Sequence, residues 1–213
     1  MLIWIEDNYP KDIEELAAHI GTLDLPYLTQ TCIAAQLSIS PSKFPPLTGA
    51  VLVFNSAVAT FCAPSDPSGT HSMRCEHIRS TPDWRKCGPR RDCAFVVEDE
   101  SKSGMRGMAV VHVMLFFSID YNGMRYPCAL VDWFKRVGQD PLTGLWVVSP
   151  DIVCSKREHT VIHLDSLFRG AHLIPVFGTQ KLPHNFHFSY SLDAFRFYFV
   201  NKYIDHHVYE VVT

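Results

Sequence analysis

Residues 108–134 constrain this chain more than any other stretch. Two long apolar runs, Met108-Ala109-Val110-Val111-His112-Val113-Met114-Leu115-Phe116-Phe117 and Arg125-Tyr126-Pro127-Cys128-Ala129-Leu130-Val131-Asp132-Trp133-Phe134, flank Asp120-Tyr121-Asn122-Gly123. Asn-Gly is the strongest short hairpin signal, because both residues tolerate the positive φ that a tight strand-to-strand turn demands. The pattern predicts antiparallel strands around 108–118 and 125–134 with Asn122-Gly123 at the tip. Further strands are predicted at 93–97, 145–148, 160–164 and 171–176. Short strands at roughly ten-residue spacing suggest a small barrel or strongly curled sheet.

The flanks read differently. Ile13, Leu16, Ala17 and Ile20 form one stripe at helical spacing and Gly21 supplies a stop, which predicts a helix over 12–20. A second short helix is predicted over 25–37, with Leu28, Cys32 and Ala35 facing inward. Residues 1–25 carry Lys11 against six acids, and the pair has too little apolar surface to fold alone. Pro41, Pro45, Pro46 and Gly49 mark a linker. The apolar runs over 50–54 and 57–61 fit one bent strand or two, and periodicity does not separate strand from buried helix there. A turn-rich loop is predicted at 64–69. Near the C-terminus, Ser191 is a good N-cap and Leu192, Phe195 and Phe199 make a stripe, predicting a helix over 191–199. The fold class expected is α+β: a small curled β-sheet or barrel with short N-terminal helices and a C-terminal helix. Three parts are expected, a helical piece and linker over 1–49, an irregular basic segment over 50–91, and the β module with its helix over 92–213.

Composition excludes several classes. Aromatic residues make up 12% of the chain, far from the make-up of a disordered protein. No apolar run reaches the roughly 18 residues of a membrane-spanning helix, so no membrane partner is expected. Acids near the start, Glu6 and Asp7, stand where a signal peptide carries basic residues. The seven cysteines, at 32, 62, 75, 87, 93, 128 and 154, contain no C-x-x-C pair and are read as reduced thiols of an intracellular protein.

The functional signal lies in charge. Arg74, Arg79, Arg85, Lys86, Arg90 and Arg91 face only Glu76 and Asp83 within 70–91, a local +4 in a chain of net −3. Arginine and lysine interleaved with Trp84 suit phosphate contact plus stacking, so Arg74, Arg79, Trp84, Arg85, Lys86, Arg90 and Arg91 are the candidate nucleic-acid-binding residues. A solvated loop neutralising the acidic remainder is the competing explanation. Cys75, His77, Cys87 and Cys93 have metal-ligand chemistry, but their spacing matches no zinc finger or ribbon. Asp205, His206, His207 and Glu210 lack the H-E-x-x-H pattern, and His163 with Asp165 lacks a marked nucleophile. No metal, cofactor or catalytic residue is assigned.

Several blocks carry a family resemblance. Ala63-Pro64-Ser65-Asp66, Met73-Arg74-x-Glu76-His77-Ile78-Arg79-Ser80-Thr81-Pro82-x-Trp84-Arg85, Tyr126-Pro127-Cys128-Ala129-Leu130-Val131-x-Trp133-Phe134, Arg169-Gly170-Ala171-His172-Leu173-Ile174-Pro175-Val176 and Tyr198-x-Val200-Asn201-Lys202-Tyr203-x-Asp205-His206-His207 resemble the C-terminal region of proteins encoded by fungal Plavaka elements, in the Kyakuja–Dileera–Zisupton transposon group. Cys75 departs from the basic character of that block. The resemblance implies a transposon-derived nuclear protein with DNA or a chromatin protein as partner. It does not carry transposase activity, since the family's catalytic carboxylates lie in an upstream RNase H-like core that has no counterpart before residue 50. Docking onto such a core is the alternative role, and a thiol-dependent hydrolase is a third. The β region is also similar in pattern to bromo-adjacent homology modules, through Val131-Asp132-Trp133-Phe134 and residues 171–176.

Overall fold

The computed structural model describes residues 1–40, 44–64, 71–179, 181–182 and 184–213, with Trp4 described by its backbone alone. Pro41 of the linker, and residues 65–69 of the predicted loop with Ser65 and Asp66 of the first resemblance block, lie outside these residues. The chain opens with β1 (Leu2–Glu6), α1 (Ile13–Ile20) and α2 (Leu25–Gln36), then β2 (Val51–Cys62), β3 (Met73–Thr81), β4 (Arg90–Arg91) and β5 (Cys93–Val97). The long hairpin is β6 (Met108–Tyr121) and β7 (Met124–Gln139). After it come β8 (Trp146–Pro150), β9 (Ile152–Val153), β10 (Lys156–Arg157), β11 (His159–His163), β12 (Leu167–Ala171) and β13 (Leu173–Pro175). The chain closes with α3 (Ser191–Ala194), β14 (Tyr198–Val200) and α4 (His206–Val212). The fold is α+β, with mostly antiparallel strands in one curled, half-barrel sheet.

Asn122 (φ 50°) and Gly123 (φ 76°) form the predicted tip, with Tyr121 opposite Met124. The curl follows from strand length. β6 and β7 run 14 and 16 residues, and the inherent twist of strands that long forces each to change partners along one edge. β6 pairs with β2 through 116–119 and with β5 through 108–112. β7 pairs with β11 through 128–132 and with β8 through 134–139. A register shift between Val113 and Leu115 bends the ribbon where β6 changes partners, and a second lies within the β7–β8 pairing between Arg136 and Gly138. β2 follows the same logic as a single bent strand, held by β6 over 51–54 and by β3 over 56–62. The curl finally brings β12, bonded to β5, against β3: the Gly170 N–H donates to a Glu76 carboxylate oxygen at 3.1 Å. A Cβ at Gly170 would sit 2.8 Å from that carboxylate, so a larger residue there would push the Glu76 side chain aside.

Three apolar clusters fill the structure. Leu16, Leu25 and Ile33 of the helices pack on Val51, Phe117, Ile119 and Leu130. Phe54, Ile78, Val111, Phe116, Val131 and Leu167 fill the inside of the curl. Phe95, Met105, Phe134, Tyr198, Val208 and Val212 join the C-terminal elements to the sheet. The first cluster draws on all three expected parts of the chain, and the third on residues 92–213 alone. The Asp12 carboxylate caps α1 by accepting from the Glu14 and Glu15 N–H groups, and Gly21 ends it in the left-handed conformation.

Three expectations are corrected. β1 was not foreseen, and it pairs with β2 on the edge opposite β3. α2 buries Leu25, Thr29, Ile33 and Ala34, and Leu28 and Cys32 pack on the core beside them as expected, while Ala35 is exposed. The helix expected over 191–199 stops at Ala194, because Tyr198, Phe199 and Val200 are strong strand formers whose alternation buries Tyr198 and Val200 in β14. The longer C-terminal helix is α4, capped by Asp205. Among the described residues no helix is long and apolar enough to cross a membrane.

Candidate nucleic-acid interface

The basic stretch folds as a hairpin. Ser80 lies opposite Arg91 and Thr81 opposite Arg90, and the chain turns between them through 82–89. The Cys87 N–H bonds to the Trp84 carbonyl at 3.0 Å and the Trp84 N–H to the Gly88 carbonyl at 2.8 Å. Arg85 (φ 55°) and Lys86 (φ 61°) sit at the exposed tip of this turn in the left-handed region. Around the Trp84 ring lie three guanidinium groups, those of Arg79 at 4.8 Å, Arg90 at 5.1 Å and Arg85 at 5.2 Å. Each interaction of this kind gives about 0.5–1 kcal/mol at an exposed site. Asp92 is the carboxylate among them, accepting from Arg90 Nε at 2.9 Å and from the Arg79 main-chain N–H at 2.9 Å. Trp84 thus gathers three of the six predicted basic residues. Arg74 stands apart, 3.9 Å from Asp205, and Lys86 points from the tip.

Clefts open on both sides of β4. One of 510 Å³ is lined by His77, Arg79, Arg90, Arg91 and His172 among others. The second, of 330 Å³, has Trp84, Arg90, Arg91 and Phe188 as walls and reaches His112 and Asp193. Arg90, Arg91, Ser191 and Leu192 belong to both, so the two clefts adjoin across β4.

Below the second cleft runs a polar row. Cys93, His112, Asp132 and His159 are directly opposite one another across β5, β6, β7 and β11, which places their side chains on one sheet face. His112 is 5% exposed, and its Nδ1 has no hydrogen-bond partner. Burial pushes its pKa down to about 4; Asp193 opposes this, the Arg157 and Arg91 charges add to it, and a hydrogen bond to the Arg91 backbone opposes it. Burial also raises the Asp132 carboxyl, against the pull of Arg157 and His159. It raises the Cys93 thiol too. The residue types are those of a thiol triad, but a reactive cysteine needs a stabilised thiolate and this environment favours the neutral thiol. Arg157 anchors the segment above: its Nη2 donates to the Leu192 carbonyl at 2.5 Å and to Asp193 at 2.7 Å.

At the β3–β12 seam, Arg169 is the largest fully buried side chain among the described residues, 1% exposed. Its guanidinium donates to both Asp205 oxygens, at 3.2 and 2.7 Å, and to His207 Nδ1 at 2.8 Å. It lies 3.4 Å from Glu76 and 4.6 Å above the Phe61 ring, which also stacks on His207 at 4.7 Å. Arginine only donates, so His207 Nδ1 is a lone pair and the ring proton is on Nε2. Burial lowers the His207 pKa, with Arg169 adding to the effect. Asp205 and His207, considered above as metal ligands, are partners of a guanidinium, and His206 and Glu210 are exposed.

The other candidates are dispersed. Cys75 and His77 lie on the exposed face of β3, Cys87 in the hairpin turn, and Cys93 in the core. His163 Nδ1 accepts from the Asp165 N–H at 3.2 Å as a local turn cap. All seven cysteines are free, and among the described residues no group of three or more His, Cys, Asp or Glu side chains is arranged to hold a metal. Sequence reasoning missed His112, Arg157, Arg169 and Asp193. For His112 and Arg169 a signal existed, a lone polar residue inside an apolar run. No family model, curated protein or solved structure matches the chain.

Proposed function

We propose that the chain is a non-catalytic DNA-binding module that meets phosphates through the β3–β4 hairpin and the cleft walls behind it. The observation that carries this reading is the crowding of Arg79, Arg85 and Arg90 on one indole, with Asp92 pairing the Arg90 guanidinium. Like charges held together at a surface repel, and an arrangement that leaves them under-neutralised is suited to an anion arriving from outside. Guanidinium groups fixed by a ring present their donor forks already oriented, which suits phosphate oxygens. In this reading Trp84 positions the arginines. The likeness of residues 73–85 to Plavaka-encoded proteins supports DNA as the polyanion and the nucleus as the compartment.

Binding of the whole chain to duplex and single-stranded DNA across a salt series tests it. The logarithm of affinity should fall linearly with the logarithm of salt, and Arg85→Gln, Lys86→Gln and Arg91→Gln together should reduce the slope by about 0.7–0.9 for each phosphate no longer neutralised. Absence of affinity at low salt overturns the reading. The docking alternative would then lead, favoured by the exposed Tyr203, Ile204 and Tyr209, whose two rings lie 6.0 Å apart.

A further inference from the structure

Phosphate binding by the hairpin leaves the 330 Å³ cleft unexplained. Duplex DNA turns its charged backbone outward and keeps its bases stacked inside, so it has no part to place in a chamber behind a strand of arginines. The cleft has aromatic side chains in its wall, Trp84 and Phe188, with Arg90 and Arg91 beside them. It also reaches two polar groups, the Asp193 carboxylate and the nine-tenths-buried His112, whose Nδ1 is unpaired. A buried polar atom without a partner costs about 1–3 kcal/mol, and a ligand group that reaches it recovers part of that cost. Flat apolar walls with a few convergent polar groups are the usual form of a site for a small planar ligand.

We propose that this cleft takes an unpaired nucleobase bearing an exocyclic amino group, delivered by a single strand whose phosphates lie on Arg90 and Arg91. The inference rests on the phosphate-binding role of the hairpin and adds which form of nucleic acid it serves. The base class follows from the polar groups. One oxygen of Asp193 already accepts from Arg157, and a carboxylate can only accept. The neutral His112 ring has one N–H, which is engaged with the Arg91 backbone, so its unpaired Nδ1 also accepts. Cytosine meets these two acceptors with an amino group, which has two N–H donors. Uracil at the same place turns a carbonyl oxygen toward the carboxylate and is repelled.

The test compares fluorescence anisotropy of oligodeoxycytidine, oligodeoxyuridine and a duplex containing the cytidine strand, of equal length, at about pH 8 and two salt concentrations. The wild-type chain should bind the cytidine strand about tenfold tighter than the uridine strand, the value of one good hydrogen bond, and tighter than the duplex. Asp193→Asn replaces an acceptor by a group that can turn either way, and should bring the cytidine-to-uridine ratio to about one with the salt slope kept. Phe188→Ala, at an exposed side chain, should weaken both strands together. Equal affinity for the two strands, or tighter binding of the duplex, with a steep salt dependence overturns the base site and leaves the hairpin reading standing. No salt-dependent binding of any probe overturns both.

Discussion

Two arginine clusters in this protein use the same cation–π geometry for opposite ends. Arg169 lies over Phe61 at 4.6 Å, and Arg79, Arg85 and Arg90 lie around Trp84 at 4.8–5.2 Å. Arg169 is out of water and meets two carboxylates and an imidazole lone pair. The Trp84 group is at the surface, where Asp92 pairs with the Arg90 guanidinium and meets Arg79 through its main-chain N–H. A buried charge must be matched by partners, since desolvation otherwise exceeds any gain. A solvated one need not be. Burial and the number of facing acids, rather than the ring beneath, separate an arginine that holds a fold together from one available to an outside anion.

The largest effect should come from breaking the buried cluster. Arg169→Met fits the space but leaves Asp205 and Glu76 facing each other beside the seam without their cation. Losing one partner of such a network costs about 3–5 kcal/mol, and urea unfolding should show it. A loss below about 1 kcal/mol would erase the distinction between the clusters.

Acid should act next, again on buried groups. The folded-state pKa of His112 is about 4, below the ordinary value of 6.5, so the unfolded chain takes up its proton first as pH falls. The stability this histidine contributes is present above about pH 6.5 and is lost progressively down to about pH 4, on the order of 3 kcal/mol. His207, shifted in the same direction, adds to the same window. Burial raises the Asp205 carboxyl, but the Arg169 hydrogen bonds and the Val208 N–H outweigh it and hold the group below its usual value. Its contribution therefore persists until lower pH. Urea midpoints measured from pH 7 to 4.5 should fall steeply in the wild type and less steeply in His112→Phe. Equal slopes would show that His112 is not the group that takes up the proton.

The same two clusters show what was legible in the sequence. Turns with two residues in the left-handed region close hairpins at Asn122-Gly123, Arg85-Lys86 and Cys154-Ser155. Local steric preference makes only Asn-Gly readable, so the 108–134 hairpin could be predicted and the 73–91 hairpin could not. Tyr198-Phe199-Val200 suits a strand as well as a helical stripe, and pairing with β8 and β13 decided the matter. The basic residues were visible as charge. What was not visible was their sorting, because Arg169 finds Asp205 and Glu76 only after the curl brings β12 to β3.

Within the exposed cluster, Trp84→Leu tests whether the ring positions its arginines. Charge is unchanged, so the salt slope should stay the same. The guanidinium forks lose their common support, and affinity for DNA should fall by about tenfold, with stability reduced by about 1 kcal/mol. An unchanged affinity would leave Trp84 a packing residue.

The smallest effect on stability carries the sharpest meaning. Arg85 and Lys86 occupy the two central positions of the Trp84–Cys87 turn at φ 55° and 61°, where residues with a Cβ are strained by about 1 kcal/mol or more each. Asn-Gly serves the same geometry at 122–123 without that cost. Replacing Arg85→Asn with Lys86→Gly should therefore raise stability by about 1 kcal/mol, although it removes a cation from the Trp84 ring. The same change should lower DNA affinity and flatten the salt slope by about 0.9 for each duplex phosphate that the hairpin no longer neutralises. If stability rises while affinity falls, the two cations sit in an unfavourable turn for what they meet outside the protein. If stability falls by more than about 1 kcal/mol and affinity holds, Arg85 is a structural partner of Trp84, and the exposed cluster joins the buried one as scaffold.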